Sequence, residues 1–458
     1  MPGLTASLWM AQQSLLTNQG ALNVTTNNIA NASTPGYTRE QAILAEAGSI
    51  LEGSLNYGEG VTLDKIQSVR DQVLQLRIAE ETQQQSSAQA QYKVLQQVEV
   101  LFSDPTQGIG ADFSAFFNQI SQLSTDPSSL PQRQAVLTAA QNLVSDFNQT
   151  ASHLNAIQTS LNQSVSATVT QVNTLTQQIA RLNVQVGEMQ KLGQEPGVLL
   201  DQENQLISQL SQLTDISEIQ TEAGLTITTG NGTALVVGGQ SFDLQATPSA
   251  GVEHIFSQGQ DITSTIQGGS LGGTLQVRDQ VIPGLQSQID NLASDFANSL
   301  NAAQQSGFDL SGNPGQPMFS VTAGPGAAAS LAVAMTDPSL IAASSDGTAG
   351  SNGNLANLLA VQTQALPSGA DPADTYANLV SSVGNLTAQA QTETNASTAT
   401  LTQLNDQLGA ISGVSIDEET TNLMNYQRAY EAAARVVTTI DSLTQVVLQM
   451  GASASAAP

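Results

Sequence analysis

The sequence predicts a mainly α-helical, elongated chain with a β-rich insertion. Three observations carry this expectation. Apolar residues recur in sevens at both ends, residues 132 to 192 keep one apolar face without a break, and β-branched runs punctuated by Gly-Asn-Gly and Gly-Gly occur between residues 216 and 270. The expected architecture is a rod, with terminal helices forming an α-helical coiled-coil core domain, a bundle of long helices, and a small outer β domain.

At the N-terminus, counting in sevens from Leu8 gives Leu15, Leu22 and Ile29, and the alternate row is Leu4, Ala11, Asn18 and Thr25. The first row is strong and the second weak. Such a helix is marginal alone in water, and each Leu or Ile contributes about 1.5–3 kcal/mol only if a partner surface covers it. The matching pattern lies at the far end, where Ile416, Leu423, Tyr430, Val437 and Thr444 form one row and Tyr426, Ala433, Ile440 and Val447 another. That helix opens with "SIDE": Ser415 and Glu418 fit a capping box, and Asp417 to Glu419 place negative charge at its N-terminus, a structural use of three carboxylates.

The first helix must stop in "NNIANASTPGYTRE", residues 27 to 40, because Pro35 cannot continue it and biases Thr34 toward an extended backbone. Pro35-Gly36 then suits the centre of a type II turn. In the middle of the chain, Val165, Val172, Ile179 and Val186 share a row, as do Leu161, Leu175, Leu182 and Met189. One helix from about residue 132 to 192 would be roughly 90 Å long, ended by Gly193, Pro196 and Gly197. Further helices are expected near residues 69–102, 199–213, 286–305 and 372–408.

These patterns divide the chain. Residues 1–35 form an N-terminal core helix pairing with the C-terminal core helix of 412–458. Residues 36–215, 271–306 and 354–411 form a helical rod, interrupted by a small β module at 216–270 and a Gly, Pro and Ala rich β or loop insertion at 307–353.

Composition excludes several function classes. The formal charge is -27 with eleven Lys and Arg, which leaves no basic stripe for nucleic acid or an anionic membrane surface. Charged residues make up 11% and aromatics 4%, so the exposed faces are largely neutral and polar and pack against copies of themselves with little desolvation cost. There are no cysteines, which removes disulfides, thiolate zinc sites and thiol catalysis. The N-terminus "MPGLTASLWMAQQSLLTNQG" lacks the positive region of a cleaved signal peptide, and no apolar run approaches the roughly 20 residues of a membrane span.

Catalytic motifs fail on spacing. "GGSLG" at 268–272 matches G-x-S-x-G, but His153 and His254 both precede Ser270, opposite to the α/β-hydrolase order. Two histidines so far apart make no local metal set. "GIGADF" from Gly108 lacks the third glycine of a dinucleotide loop, and "DLSGNPG" from Asp309 breaks calcium-loop spacing. No catalytic residue, cofactor or metal is expected.

The residues at the end of the first helix are more specific than its local physics. Asn27, Asn28, Ile29, Ala30, Asn31, Thr34, Gly36, Tyr37 and Arg39 closely resemble the N-terminal signature of bacterial flagellar axial proteins. "GGTLQVRDQVIPGLQSQIDNLASDFANSLNAAQQSGFDLSGNPGQPMF" from Gly272, "DPSLIAASS" from Asp337 and "SGVSIDEETTNLMNYQRAYEAAARVVTTIDSL" from Ser412 are similar to segments of the flagellar hook-associated protein 1 family. The "RDQVIP" block favours that family over two other axial types, the hook protein and the second junction adaptor.

The resemblance implies a structural, non-enzymatic subunit joining hook to filament, extracellular in the flagellum and exported through the flagellar secretion channel. Its implied partners are other copies of itself, the hook protein, the hook-filament adaptor protein, and a flagellar export chaperone on the C-terminal helix. Asn27, Asn28, Ala30, Asn31, Thr34, Pro35, Gly36, Tyr37 and Arg39 would be the assembly motif, and Leu8, Leu15, Leu22 and Ile29 the N-terminal seam. Ile416, Leu423, Tyr426, Tyr430, Val437, Ile440 and Val447 would be the C-terminal seam and the chaperone site. The terminal helices would be largely disordered until assembly covers them. A reading from another class, a secreted adhesin, would need a binding cluster in residues 216–270, where Phe242 and Phe256 are the aromatics on offer.

Overall fold

The computed structural model describes residues 2–52, 55–102, 108–221, 224–249, 251–367 and 369–454. The chain is mainly helical with small antiparallel sheets. Helix α1 (Pro2–Asn31) is followed by β1 (Glu40–Glu46), β2 (Ser49–Glu52), β3 (Leu55–Gly58) and β4 (Val61–Ser68), then by α2 (Gln72–Phe102), α3 (Ile109–Leu123), α4 (Leu130–Lys191) and α5 (Gly197–Leu213). Seven short strands come next: β5 (Ser217–Thr221), β6 (Gly224–Thr228), β7 (Ala234–Val237), β8 (Gln240–Ser241), β9 (Leu244–Ser249), β10 (Val252–Ser257) and β11 (Gln260–Asp261). Helix α6 (Gly269–Gln276) runs through a π turn into α7 (Ile282–Gln305), and β12 (Phe319–Ser320), α8 (Ala327–Ser330) and β13 (Ala332–Val333) lead to α9 (Leu355–Ala360), α10 (Pro372–Ser412) and α11 (Ile416–Ala454).

Helix α4 is the spine. It begins where the Ser129 hydroxyl accepts from the Gln132 N–H, with Pro131 in the first turn. It ends in a Schellman arrangement: Gly193 at φ +70° donates to Gln190, and Gln194 reaches back to Met189. Its 62 residues span about 93 Å. The first half (Val136, Leu143, Phe147, Leu154) belongs to a core shared with α3, α7 and α10, in which Phe113 and Phe296 meet edge to face at 4.9 Å. The second half (Val165, Val172, Ile179) is covered by α5, α6 and the strands.

Three asparagines spaced about three turns apart fasten the strands to this spine. Asn183 donates to the Leu225 and Gly238 carbonyls and accepts from the Leu225 N–H. Asn173 pairs with Leu244 in both directions, and Asn162 donates to Gly251 and accepts from Glu253. An amide side chain offers both a donor and an acceptor, so each imitates a strand partner that the helix backbone cannot provide. The strands form a four-stranded sheet in the order β5-β6-β7-β8 and a three-stranded sheet in the order β11-β10-β9.

Two expectations are corrected. The helical reading of 36–215 fails over its first part, where β1 pairs with β4 and β2 with β3, all antiparallel. Burial along β1 alternates, and Gly48 and Gly60 turn the chain at positive φ, a period of two that the helical reading passed over. The stretch 307–353 is more than an interruption of the helices. Met318, Phe319, Leu331 and Ile341 are buried in the main helical core, and helix side chains satisfy its irregular backbone. Asn301 pairs with Met318 and Phe319, and Arg133 donates to carbonyls of Ser339 and Ile341.

Candidate functional site

The motif at the end of α1 lies where the terminal helices meet the rod. Three chain segments cross there: residues 32–39 into β1, residues 69–71 into α2, and residues 413–415 from α10 into α11. The turn forms as its chemistry requires, since Tyr37 N–H donates to the Thr34 carbonyl at 3.2 Å and Gly36 holds φ +79°. Asn31 folds back on Asn27 and accepts from the Thr34 hydroxyl, closing the last turn of α1.

Asn28 is the hub. It is 1% exposed, and all four hydrogen-bonding positions of its amide are used. Nδ2 donates to the Glu40 carbonyl (2.8 Å) and to Glu419 Oε2 (3.2 Å), while Oδ1 accepts from Tyr37 OH (2.8 Å) and Glu40 N–H (2.9 Å). Arg39 completes the link to α11: its Nε donates to Glu419 Oε1 at 2.8 Å, its Nη2 lies 3.1 Å from Glu418, and its backbone N–H donates to Ser412. Burial works against the Arg39 charge, but hydrogen bonds to Glu418 and Glu419 dominate and raise its pKa. Glu419 is buried, so the acidic start of α11 binds the motif as well as capping its own helix. Ser415 Oγ accepts from the Glu418 N–H at 3.4 Å, in the capping geometry.

Sequence reasoning did not find the rod's side of the joint. Asp201 on α5 accepts from Thr38 N–H (3.1 Å), the Thr38 hydroxyl (2.6 Å) and Arg70 Nη2 (2.7 Å). Arg70 also donates to the Gly197 carbonyl at 2.7 Å. Nothing in a local pattern marks one Asp on an amphipathic helix as the anchor for a segment 163 residues away. A cavity of about 470 Å³ opens beside the joint, lined by Tyr37, Asp201, Glu218 and Ser412 among others. Burial, with the charges of Glu40, Asp201 and Glu419, pushes the Tyr37 pKa well above its ordinary value, so the hydroxyl stays a donor. Burial and the Glu218 charge push Glu203 up to about 7, and burial pushes Glu218 up to about 6.

This geometry joins the two ends of the chain to each other and to the helical rod, and the similarities of the chain follow the same division. Residues 95–319 match the family model of the flagellar hook-associated protein FlgK helical domain. Residues 10–38 match that of the flagella basal body rod protein, and 409–450 that of the flagellar basal body rod FlgEFG protein C-terminal region. The chain is 27% identical to flagellar hook-associated protein 1 of Escherichia coli K12, covering 96% of this chain and 98% of that one. It is 29% identical to flagellar hook-associated protein 1 of Bacillus subtilis 168, covering 96% of each.

The chain belongs to the flagellar hook-associated protein 1 family.

The solved structure of the flagellar hook junction protein FlgK from Burkholderia pseudomallei shares the fold, with a TM-score of 0.68 at 19% identity over 73% of this chain and all of that one. The motif residues that first pointed to the family fall into two groups. Asn28, Tyr37 and Arg39 make the joint, whereas Asn27, Ala30, Thr34, Pro35 and Gly36 are exposed and Asn31 is half-buried. The seams are also unequal. Helix α1 packs along α11 and against β1 and β4, but its buried face is the weak row of Ala11, Asn18 and Thr25, together with Ala21 and Val24.

Leu15, Leu22 and Ile29 of the strong row are half-buried, and Leu8 is 38% exposed. On α11, Ala433 and Ile440 are buried, while Leu423, Tyr426, Val437 and Val447 are half-buried. Ile416 (56%) and Tyr430 (37%) are exposed on the single chain. A single partner helix covers one narrow stripe, and both residues lie outside it. The small row wins on α1 because Gly20 lets Leu63 of β4 approach to 2.8 Å of where a Cβ would stand.

Proposed function

We propose that this chain is a structural subunit of the bacterial flagellum that joins hook to filament and polymerises through its terminal helices. The observation that carries the reading is the open apolar surface on the paired helices. Leu8, Trp9 and Leu16 of α1, with Val436, Leu443, Val446 and Leu448 of α11, remain exposed after the two helices have covered each other. Surface of this extent on helices is suited to a further partner. Helix α1 carries no charged side chain at all, so a copy of the same helix covers it without desolvating an ion.

In this reading the paired helices are the coiled-coil core of a ring or helical turn of copies, and the hook protein and the hook-filament adaptor protein are the axial neighbours. The strands β5 to β11 form an outer module. Assembly covers the apolar stripe that the paired helices leave open, and that stabilisation is withheld from the free chain. A flagellar export chaperone covers the apolar stripe of α11 until then, and the subunit leaves through the secretion channel to an extracellular place in the flagellum. The turn from Asn31 to Arg39 sets the angle between core and rod. The role is structural, without catalysis.

The test is electron microscopy of purified hooks from the same organism incubated with labelled full-length chain. Label confined to the distal tip is the expected result. Label along the shaft would move the chain to another axial position, that of the hook protein or second adaptor, and no label under conditions where a known axial protein binds would favour the adhesin reading.

A further inference from the structure

Two Asn-Gly pairs occur in the chain, Asn231-Gly232 and Asn352-Gly353. Both sit at turns, where such a pair is at home, but the fold treats them differently. At the first, the Gly232 N–H donates to the Thr229 carbonyl at 2.9 Å, and Asn231 Oδ1 accepts from the Thr233 N–H and from the hydroxyls of Thr229 and Thr233. At the second, Asn352 and Gly353 are both exposed, and among the described residues the Gly353 N–H has no acceptor. The Asn352 side chain is tied through Nδ2 to the Ser124 carbonyl at 3.1 Å, at the end of α3. Packing fixes the glycine beside it, since a Cβ at 353 would stand 2.1 Å from Ser345 Oγ and 2.8 Å from Ser345 Cβ.

We propose that Asn352-Gly353 is a self-modification site of the folded chain, at which Asn352 converts to aspartate and isoaspartate and so loosens the hold of the 307–353 insertion on α3 and α7. The Gly353 nitrogen gives its proton to solvent base and attacks Asn352 Cγ. A C–N bond forms, the bond from Cγ to Nδ2 breaks, and Nδ2 leaves as ammonia with a proton returned by water, which closes a cyclic succinimide. Water then adds to one of the two ring carbonyls and breaks its bond to the ring nitrogen, which takes back a proton. Opening on one side leaves aspartate and on the other isoaspartate, with no change of oxidation state. Attack within one chain needs the two atoms to be free to meet, and at Gly232 the proton is already held. Either product replaces the Nδ2 donor with a carboxylate beside the Ser124 carbonyl, two acceptors that cannot pair. Isoaspartate also adds a methylene to the main chain two residues before Asn354. That residue is 0% exposed, donates to the carbonyls of Ala303 and Ala342 and accepts from the Ser306 hydroxyl, so the longer backbone pulls on the anchor between insertion and α7. The reaction consumes only water and does not depend on where the subunit sits in the flagellum.

The test is peptide mapping by mass spectrometry of the full-length chain aged in mildly alkaline buffer, with isoaspartate scored by enzymatic methylation. Asn352 should convert at least about ten-fold faster than Asn231, whose neighbour must first give up a backbone hydrogen bond and whose side chain must leave its donors. In guanidinium, which frees both pairs, the two rates should fall within about three-fold of each other. Asn352→Gln should abolish the product in that peptide. Hydrogen exchange at Phe308 and Ser344, whose backbones pair within the insertion, should be faster in the aged chain than in the fresh one, and ageing should leave it unchanged in Asn352→Gln. Equal rates at the two pairs in the folded chain, or faster conversion at Asn231, would overturn the site. Conversion at Asn352 without faster exchange would overturn its effect on the insertion.

Discussion

Asn27 and Asn28 are adjacent, chemically identical and part of the same motif, yet the structure assigns them very different weights. Asn28→Ala removes four hydrogen bonds at a site 1% exposed. Two of the groups left behind keep another contact, since Asn27 still reaches Tyr37 OH and Arg39 still holds Glu419. The N–H and C=O of Glu40 lose this partner outright. At about 1–3 kcal/mol per stranded group, the joint should lose about 3 kcal/mol, roughly a hundred-fold in the equilibrium that orders it. Asn27→Ala removes three exposed contacts, to Tyr37 and Glu40 at 3.3 and 3.5 Å and from the Asn31 amide at 3.0 Å, which keeps the Asn27 carbonyl, and should cost less than about 0.5 kcal/mol. The assay is the concentration of labelled chain that half-occupies isolated hook tips, alongside the thermal midpoint of the free chain. Asn28→Ala should raise that concentration roughly a hundred-fold and leave the midpoint of the rod within about 2 °C, with Asn27→Ala close to the parent. Hook binding by Asn28→Ala within about three-fold of the parent would refute the claim that this amide holds core to rod.

Other expectations concern the seams, the backbone and pH. Leu16→Asp and Leu443→Asp should each abolish hook-tip incorporation, because each sets a charge into apolar surface that is open on the single chain and that assembly covers, while melting of the isolated rod stays unchanged; a large drop in the melting temperature of either variant would contradict this. Gly269→Ala should destabilise the rod by several kcal/mol in a denaturant titration, since Gly269 holds φ +67° and its Cβ would stand 2.3 Å from the Thr214 nitrogen. Gly284→Ala, with nothing within 4 Å, should instead stabilise by about 0.5–1 kcal/mol, and the two together test whether backbone contact rather than helix propensity decides. The Glu203 carboxyl rises from its ordinary 4.5 to about 7 on folding, chiefly through burial, so the folded chain binds this proton more tightly than the unfolded one. Its contribution is therefore complete below about pH 4.5 and is lost as pH rises to about 7. The loss is about 3 kcal/mol, and Glu203→Gln should flatten that part of the stability curve.

The sequence by itself determined where the long helices lie. The row Val165, Val172, Ile179 and Val186 repeats for many turns, and such periodicity is a local property that a single helix face must satisfy whatever covers it. The stop of α4 was legible for the same reason, since Gly193 acts on backbone groups within a few residues of itself. So was the turn at Pro35-Gly36, and the residues around it carried the family. Strands β1 and β4 escaped because they lie 14 or more residues apart in the chain and pack on α1, which no local window contains.

Tertiary structure alone decided which apolar row is covered. Leu8, Leu15, Leu22 and Ile29 are the more hydrophobic, but close packing against β4 and α11 favours the side with small residues at Ala11, Gly20 and Ala21, and leaves the larger side chains partly open. It also decided that Asn28 rather than Asn27 is the hub, and that Asp201 and Arg70 hold the rod's side of the joint. Each of those roles depends on groups from separate parts of the chain meeting at hydrogen-bonding distance. A pattern in the sequence gives the direction in which a helix needs to bury its surface, and only the packed chain gives the atoms that meet it there.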